Sequence, residues 1–230
     1  MAAGVTDSID FVGSMTNNPQ NCRSVEDPNW DLGHEGHSGY LAINIANQLL
    51  EGWLSTAKPD IVQFMLGTND VFQGRSQADI LAAYTRIVEL SRASNPNMKI
   101  IVSIFFTPLY ISNFMSPETE TPGGTCWRVE VPAFYLPPIV IHQVDTVIPL
   151  PLNNQPIVSL NQAIPAWAEG LNSTESPIYV ADVYNYPYPQ SDLRDGVHPN
   201  DAGDVIIADV VGPLLLSVIQ ESLTGSAMVY

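Results

Sequence analysis

Two stretches, DIVQFML (60–66) and KIIVSIFF (99–106), constrain this chain more than any others. Each is apolar almost without interruption over the length of a strand. A strand that does not alternate is buried on both faces, which is the environment of a parallel sheet covered by helices. Between them, in 77–93, Ile80, Tyr84, Ile87 and Val88 recur at helical spacing. Ser76 and Asp79 form a capping pair ahead of that run, and Pro96 follows its end. Strand, helix, strand in this order predicts a parallel sheet with helices packed on it.

The rest of the chain extends the pattern. SIDFV (8–12), closed by Gly13, and PIYVAD (177–182) are expected strands. In 40–54, Leu41, Ile45, Leu49 and Trp53 fall four apart and make one apolar stripe. Residues 201–211 are periodic, and Pro213 is expected to kink or restart that helix before LLLSVI. No repeat and no linker divides the 230 residues, so one domain over 1–230 is expected. The exception is 107–156, rich in proline and without helical period. So long an irregular stretch is expected to be a lid, a β-excursion or disordered.

Charge excludes some roles. A formal net charge of −16 repels phosphate backbones and anionic lipid, so nucleic-acid and membrane-surface partners are not expected. No apolar run looks long and clean enough to span a bilayer, and MAAGV does not open a signal peptide. Cys22 and Cys126 are too few for a zinc site; one disulfide or two free thiols both fit. Asn172 begins an N-S-T sequon.

Three short stretches carry the residues able to do chemistry. DGVHP sets Asp195 three residues before His198. A carboxylate there can accept from the imidazole Nδ1–H and leave Nε2 as a base; the same turn could merely cap a helix. MLGTND (65–70) directly follows a strand, where ligand sites of open α/β sheets lie. Asn69 can aim its amide at a substrate oxygen, although GTND is also good turn sequence. GHEGHSGY (33–40) precedes the helix of 40–54, and Gly39 lets its N–H approach a ligand closely. His34, Glu35 and His37 in that loop lack the helical zinc spacing, so local hydrogen bonding is expected of them and no cofactor. EDPNWD (26–31) leaves a structural calcium open without matching a calcium loop.

As a set, and in this order, GHSG, GTND and DGVHPNDAG resemble the SGNH, or GDSL-type, hydrolases. DFVGS followed by HEGHSG looks most like their acetyl xylan esterase branch, carbohydrate esterase family 3. The resemblance covers nearly the whole chain except 107–156. It implies a three-layer α/β/α, flavodoxin-like fold. It also implies an oxyanion hole of Gly39 N–H and Asn69, with Asp195 and His198 serving a serine. The reaction would be deacetylation through an acyl-enzyme, on acetylated xylan or a small ester, outside the cell.

The serine is the difficulty. Ser8, in TDSI, follows only seven residues, too few for the strand that should present it, and no helical period comes after it. Ser14, in DFVGS, follows an expected strand but lacks the preceding Asp and the following helix. Ser38 sits in the Gly39 motif and is expected to hold that loop. The economical expectation is that the family's first strand, nucleophile turn and first helix are absent from this chain, so that it is a weak or inactive esterase. Two alternatives stay open. Ser14 or Ser8 could be a working nucleophile, or the chain could bind carbohydrate or another partner without catalysis, using aromatics such as Trp30, Tyr40, Tyr184, Tyr186 and Tyr188. Loss of the first strand would leave a gap beside 60–66; either 8–12 moves in to pair there, or part of 107–156 fills the space, or another chain does, and a rearranged pairing is expected.

Overall fold

The computed structural model describes residues 9–17, 31–104, 138–142, 155–185, 189–194 and 198–224. The two apolar stretches form β1 (Ile61–Met65) and β2 (Lys99–Ile104), paired in parallel with Ile61 opposite Lys99. Alternate residues face opposite ways. Val62, Phe64, Ile100 and Val102 enter one core, while Ile61 and Ile101 enter the other. This double burial is why the two strands carry so little polar sequence; each such side chain contributes about 1.5–3 kcal/mol. The exception is an internal pair: Gln63 Nε2 donates to Ser103 Oγ (3.1 Å), both buried. A polar residue on each strand therefore satisfies the other.

The first core is covered by four helices. A helical run, here α1, comprises α-helical Ala42–Asn44, a π-helical turn Ile45–Leu49 and α-helical Leu50–Ala57. It ends on Lys58, a non-glycine residue at φ +49°, with Pro59 after it. The short α2 (Thr68–Phe72) follows β1, and α3 (Gln77–Ser94) lies between β1 and β2. The expected cap is present: Asp79 N–H donates to Ser76 Oγ (3.1 Å). α4 (Gln155–Leu171) leads to β4 (Ile178–Asp182). α5 (Asp201–Thr224) packs Leu215, Val218 and Ile219 on the other face, against Ile61, Ile101 and Ala181. Helices on both faces of a parallel sheet make the three-layer α/β/α fold.

Four expectations need correction. Residues 9–12 form no strand and do not pair with β1. The sheet order is β3-β1-β2-β4, and β3 (Pro138–His142), from within 107–156, occupies that edge with Ile61 opposite Pro138. A five-residue run inside proline-rich sequence has too little pattern to announce itself; a parallel neighbour with unpaired backbone groups gives it its partner. Residues 107–156 are accordingly not wholly irregular. Pro213 lies inside α5, which neither stops nor restarts there. Finally, α5 is by length and composition apolar enough to cross a membrane, a test that the core helix of an α/β domain also meets.

Candidate functional site

The site begins where β1 ends. Gly67 turns the chain at φ +107°, and α2 opens with Thr68, Asn69 and Asp70. A Cβ at Gly67 would stand 3.0 Å from the Tyr84 hydroxyl, so both the left-handed backbone and the close approach require glycine. Tyr84 is buried, stacks edge-on with Phe64 and Trp167, and donates to the Leu66 carbonyl. Burial pushes its hydroxyl well above the ordinary tyrosine range, so it stays a donor.

Asn69 and Asp70 reach back across nearly thirty residues to the loop after Gly39. Asp70 Oδ2 accepts from Ala42 N–H (2.8 Å) and Oδ1 from Ile43 N–H (3.3 Å). These are orphan donors of the first turn of α1, whose own N-cap is Leu41, a residue with no capping side chain. Asn69 Nδ2 donates to the Tyr40 carbonyl (3.3 Å). That bond orients the amide with nitrogen toward the loop and leaves a second N–H on Nδ2. Asn69 Oδ1, also buried, finds no partner. The two motifs GHSG and GTND are thus one unit. Burial raises the Asp70 carboxyl above its usual range, against the pull of the two N–H groups.

The loop itself is held from below. Glu35 is buried and joins three groups. Its Oε1 accepts from Ser14 N–H (2.5 Å), its Oε2 from Ser14 Oγ (2.9 Å), and its Oε2 lies 2.8 Å from His37 Nε2. His34 is bridged to Met15 and accepts from Gly36 N–H at Nδ1 (2.9 Å), which leaves Nε2 as donor to the Asn17 carbonyl (3.2 Å). The loop is therefore pinned to residues 13–17, and Gly39 follows at φ +78°. His37 is sandwiched between Tyr40 (4.8 Å) and Trp53 (4.9 Å). A cavity of about 410 Å³ opens beside Ser14, Glu35 and Trp53; Gly39, Asn69 and His198 do not line it.

His198 is partly buried, with Nε2 enclosed, just before α5. Arg194 N–H donates to its carbonyl (2.8 Å), and Arg194 Nε donates to Pro199 O (2.7 Å). Asn200 starts α5 by accepting from Ala202 and Gly203 N–H at Oδ1 (3.0 and 3.2 Å). Asp195 lies outside the described residues, as do Ser8, Cys22, Cys126, Trp30, Tyr186, Tyr188 and most of EDPNWD. Ser14, though exposed, gives its hydroxyl to a carboxylate and not to an imidazole. Among the described residues no group of three His, Cys, Asp or Glu side chains is placed to hold a metal.

Sequence reasoning missed Asp70, Glu35 as a hub, and Asn200. Asp70 left one signal: SGYLAIN offers no capping residue at the position where its helix starts.

The GDSL-like lipase/acylhydrolase family model matches residues 4–206. No curated protein matches the sequence. Among solved structures, an acetyl esterase crystallised as a serine-to-alanine mutant with acetate ion is 34% identical, with TM-score 0.71, covering 94% of this chain and 84% of its own. A carbohydrate esterase family 3 protein from Talaromyces cellulolyticus is 35% identical, with TM-score 0.69, covering 93% and 84%. A family 3 carbohydrate esterase from Clostridium thermocellum, 20% identical at TM-score 0.59, covers 92% and 81% and shares the fold.

Proposed function

The chain belongs to the GDSL-like lipase/acylhydrolase family, and from that premise we propose that its site receives the acetyl group of an acetylated sugar, with xylan the first polymer to try. The observation that supports this reading is the tie between the GTND turn and the loop after Gly39, made by Asp70 to the Ala42 N–H and by Asn69 to the Tyr40 carbonyl. On this reading the Gly39 N–H and the remaining Asn69 N–H would act as donors for one carbonyl oxygen. Such donors act by stabilising the oxyanion of a tetrahedral intermediate, each worth about 3 kcal/mol of barrier. His198 would be the base and later the acid toward the leaving alcohol, and Asp195 would fix its tautomer. The reaction conserves atoms simply: serine Oγ takes the acetyl group, the sugar hydroxyl leaves with a proton, and water then releases acetate.

The nucleophile decides the rate. Ser14 is engaged by Glu35 through both its N–H and its hydroxyl, which favours weak turnover or none. The same observation favours a second reading, binding of acetylated carbohydrate without hydrolysis. A fluorophosphonate probe followed by peptide mapping, run beside acetate release from acetylated xylan, separates the two. Acetate release above background with Ser14 labelled would overturn the weak-turnover reading; saturable binding without release supports the second. Such a polymer is an extracellular substrate, so we place the chain outside the cell. Protein from its own host should then lose mass on deglycosylation at Asn172, and an unmodified Asn172 would count against that location.

A further inference from the structure

We propose that Tyr40 is a stacking platform for one sugar ring, set beside the acyl-binding donors; this rests on the reading of Gly39 and Asn69 given above. Among the described residues, Tyr40 is the large apolar side chain left exposed, at 40%. The other described aromatic rings are buried or partly buried. Tyr40 is also not loose. Its ring lies flat on His37 (interplanar 16°), and His37 lies flat on Trp53 (8°). His37 is fixed in turn by buried Glu35, which is fixed by Ser14. A ring held this way loses little conformational entropy when a ligand lands on it.

Position and shape indicate the ligand. Tyr40 is the residue after Gly39, and its own carbonyl orients the Asn69 amide. Whatever lies against the ring is within a residue's reach of the acyl-holding groups. A lipid chain needs a continuous apolar trough, and one isolated ring does not supply it. A pyranose presents one apolar C–H face and otherwise hydroxyls, and a single flat ring fits that face. The platform therefore selects a sugar-borne acetyl group over the same acetyl on an alkyl alcohol.

The test is titration of the chain with acetylated xylotriose, followed by NMR, for wild type, Tyr40→Phe and Tyr40→Leu. Leucine keeps apolar bulk but removes the flat π face. Tyr40→Phe should bind within twofold of wild type, and Tyr40→Leu about tenfold more weakly, the scale of one aromatic stacking contact. Equal binding by Tyr40→Leu, or no saturable binding by wild type, overturns the platform. Unacetylated xylotriose distinguishes its failure from that of the underlying site. If removing the acetyl groups leaves wild-type affinity unchanged while the Tyr40→Leu loss persists, the acyl-site reading fails and the platform stands.

Discussion

Replacing Asp70 tests the physical link between the two site motifs. Asp70 is fully buried and accepts from two N–H groups at the start of α1. Asp70→Ala removes a helix cap, worth about 1 kcal/mol. It also strands the Ala42 N–H in a buried position, at about 1–3 kcal/mol. Losing a buried charge returns part of this, so the net loss should be about 2–3 kcal/mol. For a chain of this length that lowers Tm by roughly 5–10 °C. Asp70→Asn keeps an acceptor in the same place and should cost about 1 kcal/mol or less. The pH dependence gives an independent sign. Burial raises the folded-state pKa of Asp70 above 3.8, so the folded protein holds that proton more tightly than the unfolded chain. Ionised Asp70 therefore costs stability; the cost is fully present above the folded pKa and is relieved as pH falls through it. Urea unfolding between pH 7 and pH 4 should show wild type gaining on Asp70→Asn as pH drops. A loss below about 0.5 kcal/mol for Asp70→Ala would refute the capping role. A pH-independent gap between wild type and Asp70→Asn would refute the electrostatic argument.

Gly67→Ala combines left-handed strain with a Cβ 3.0 Å from the Tyr84 hydroxyl and 3.2 Å from Leu160. It should cost about 2 kcal/mol or more by chemical denaturation, and a neutral result would show that this turn relaxes freely. Ser14→Ala should lower stability by about 1 kcal/mol, through the lost bond to Glu35, and leave fluorophosphonate labelling of the chain unaltered. A label that disappears with this variant would make Ser14 the nucleophile. Asn69→Ala should lower any measurable acetyl-ester turnover by about 10²-fold or more, and an undiminished kcat would remove Asn69 from the oxyanion hole.

Local pattern alone determined a good part of this protein. Uninterrupted apolar runs announced β1 and β2 because both their faces are covered. The four-residue stripe from Leu41 to Trp53 and the Ser76 cap announced α1 and α3 because helical periodicity and capping are written in adjacent residues. Gly39, Asn69 and His198 stood out as candidates for a similar reason: each sits at a turn whose sequence is distinctive. Pro213 misled because the packing of Leu215, Val218 and Ile219 on the sheet carries α5 across a residue that local preference would make a break. Only the tertiary structure decided which strand lies beside β1, since backbone groups at a sheet edge accept a partner from far along the chain and leave no periodic mark of the choice. The same holds for Asp70 capping a helix that starts 28 residues earlier, and for Glu35 gathering Ser14 and His37. A buried carboxylate needs donors from somewhere, but its sequence neighbours do not say from where. What ties the GHSG and GTND stretches together had to be seen in three dimensions.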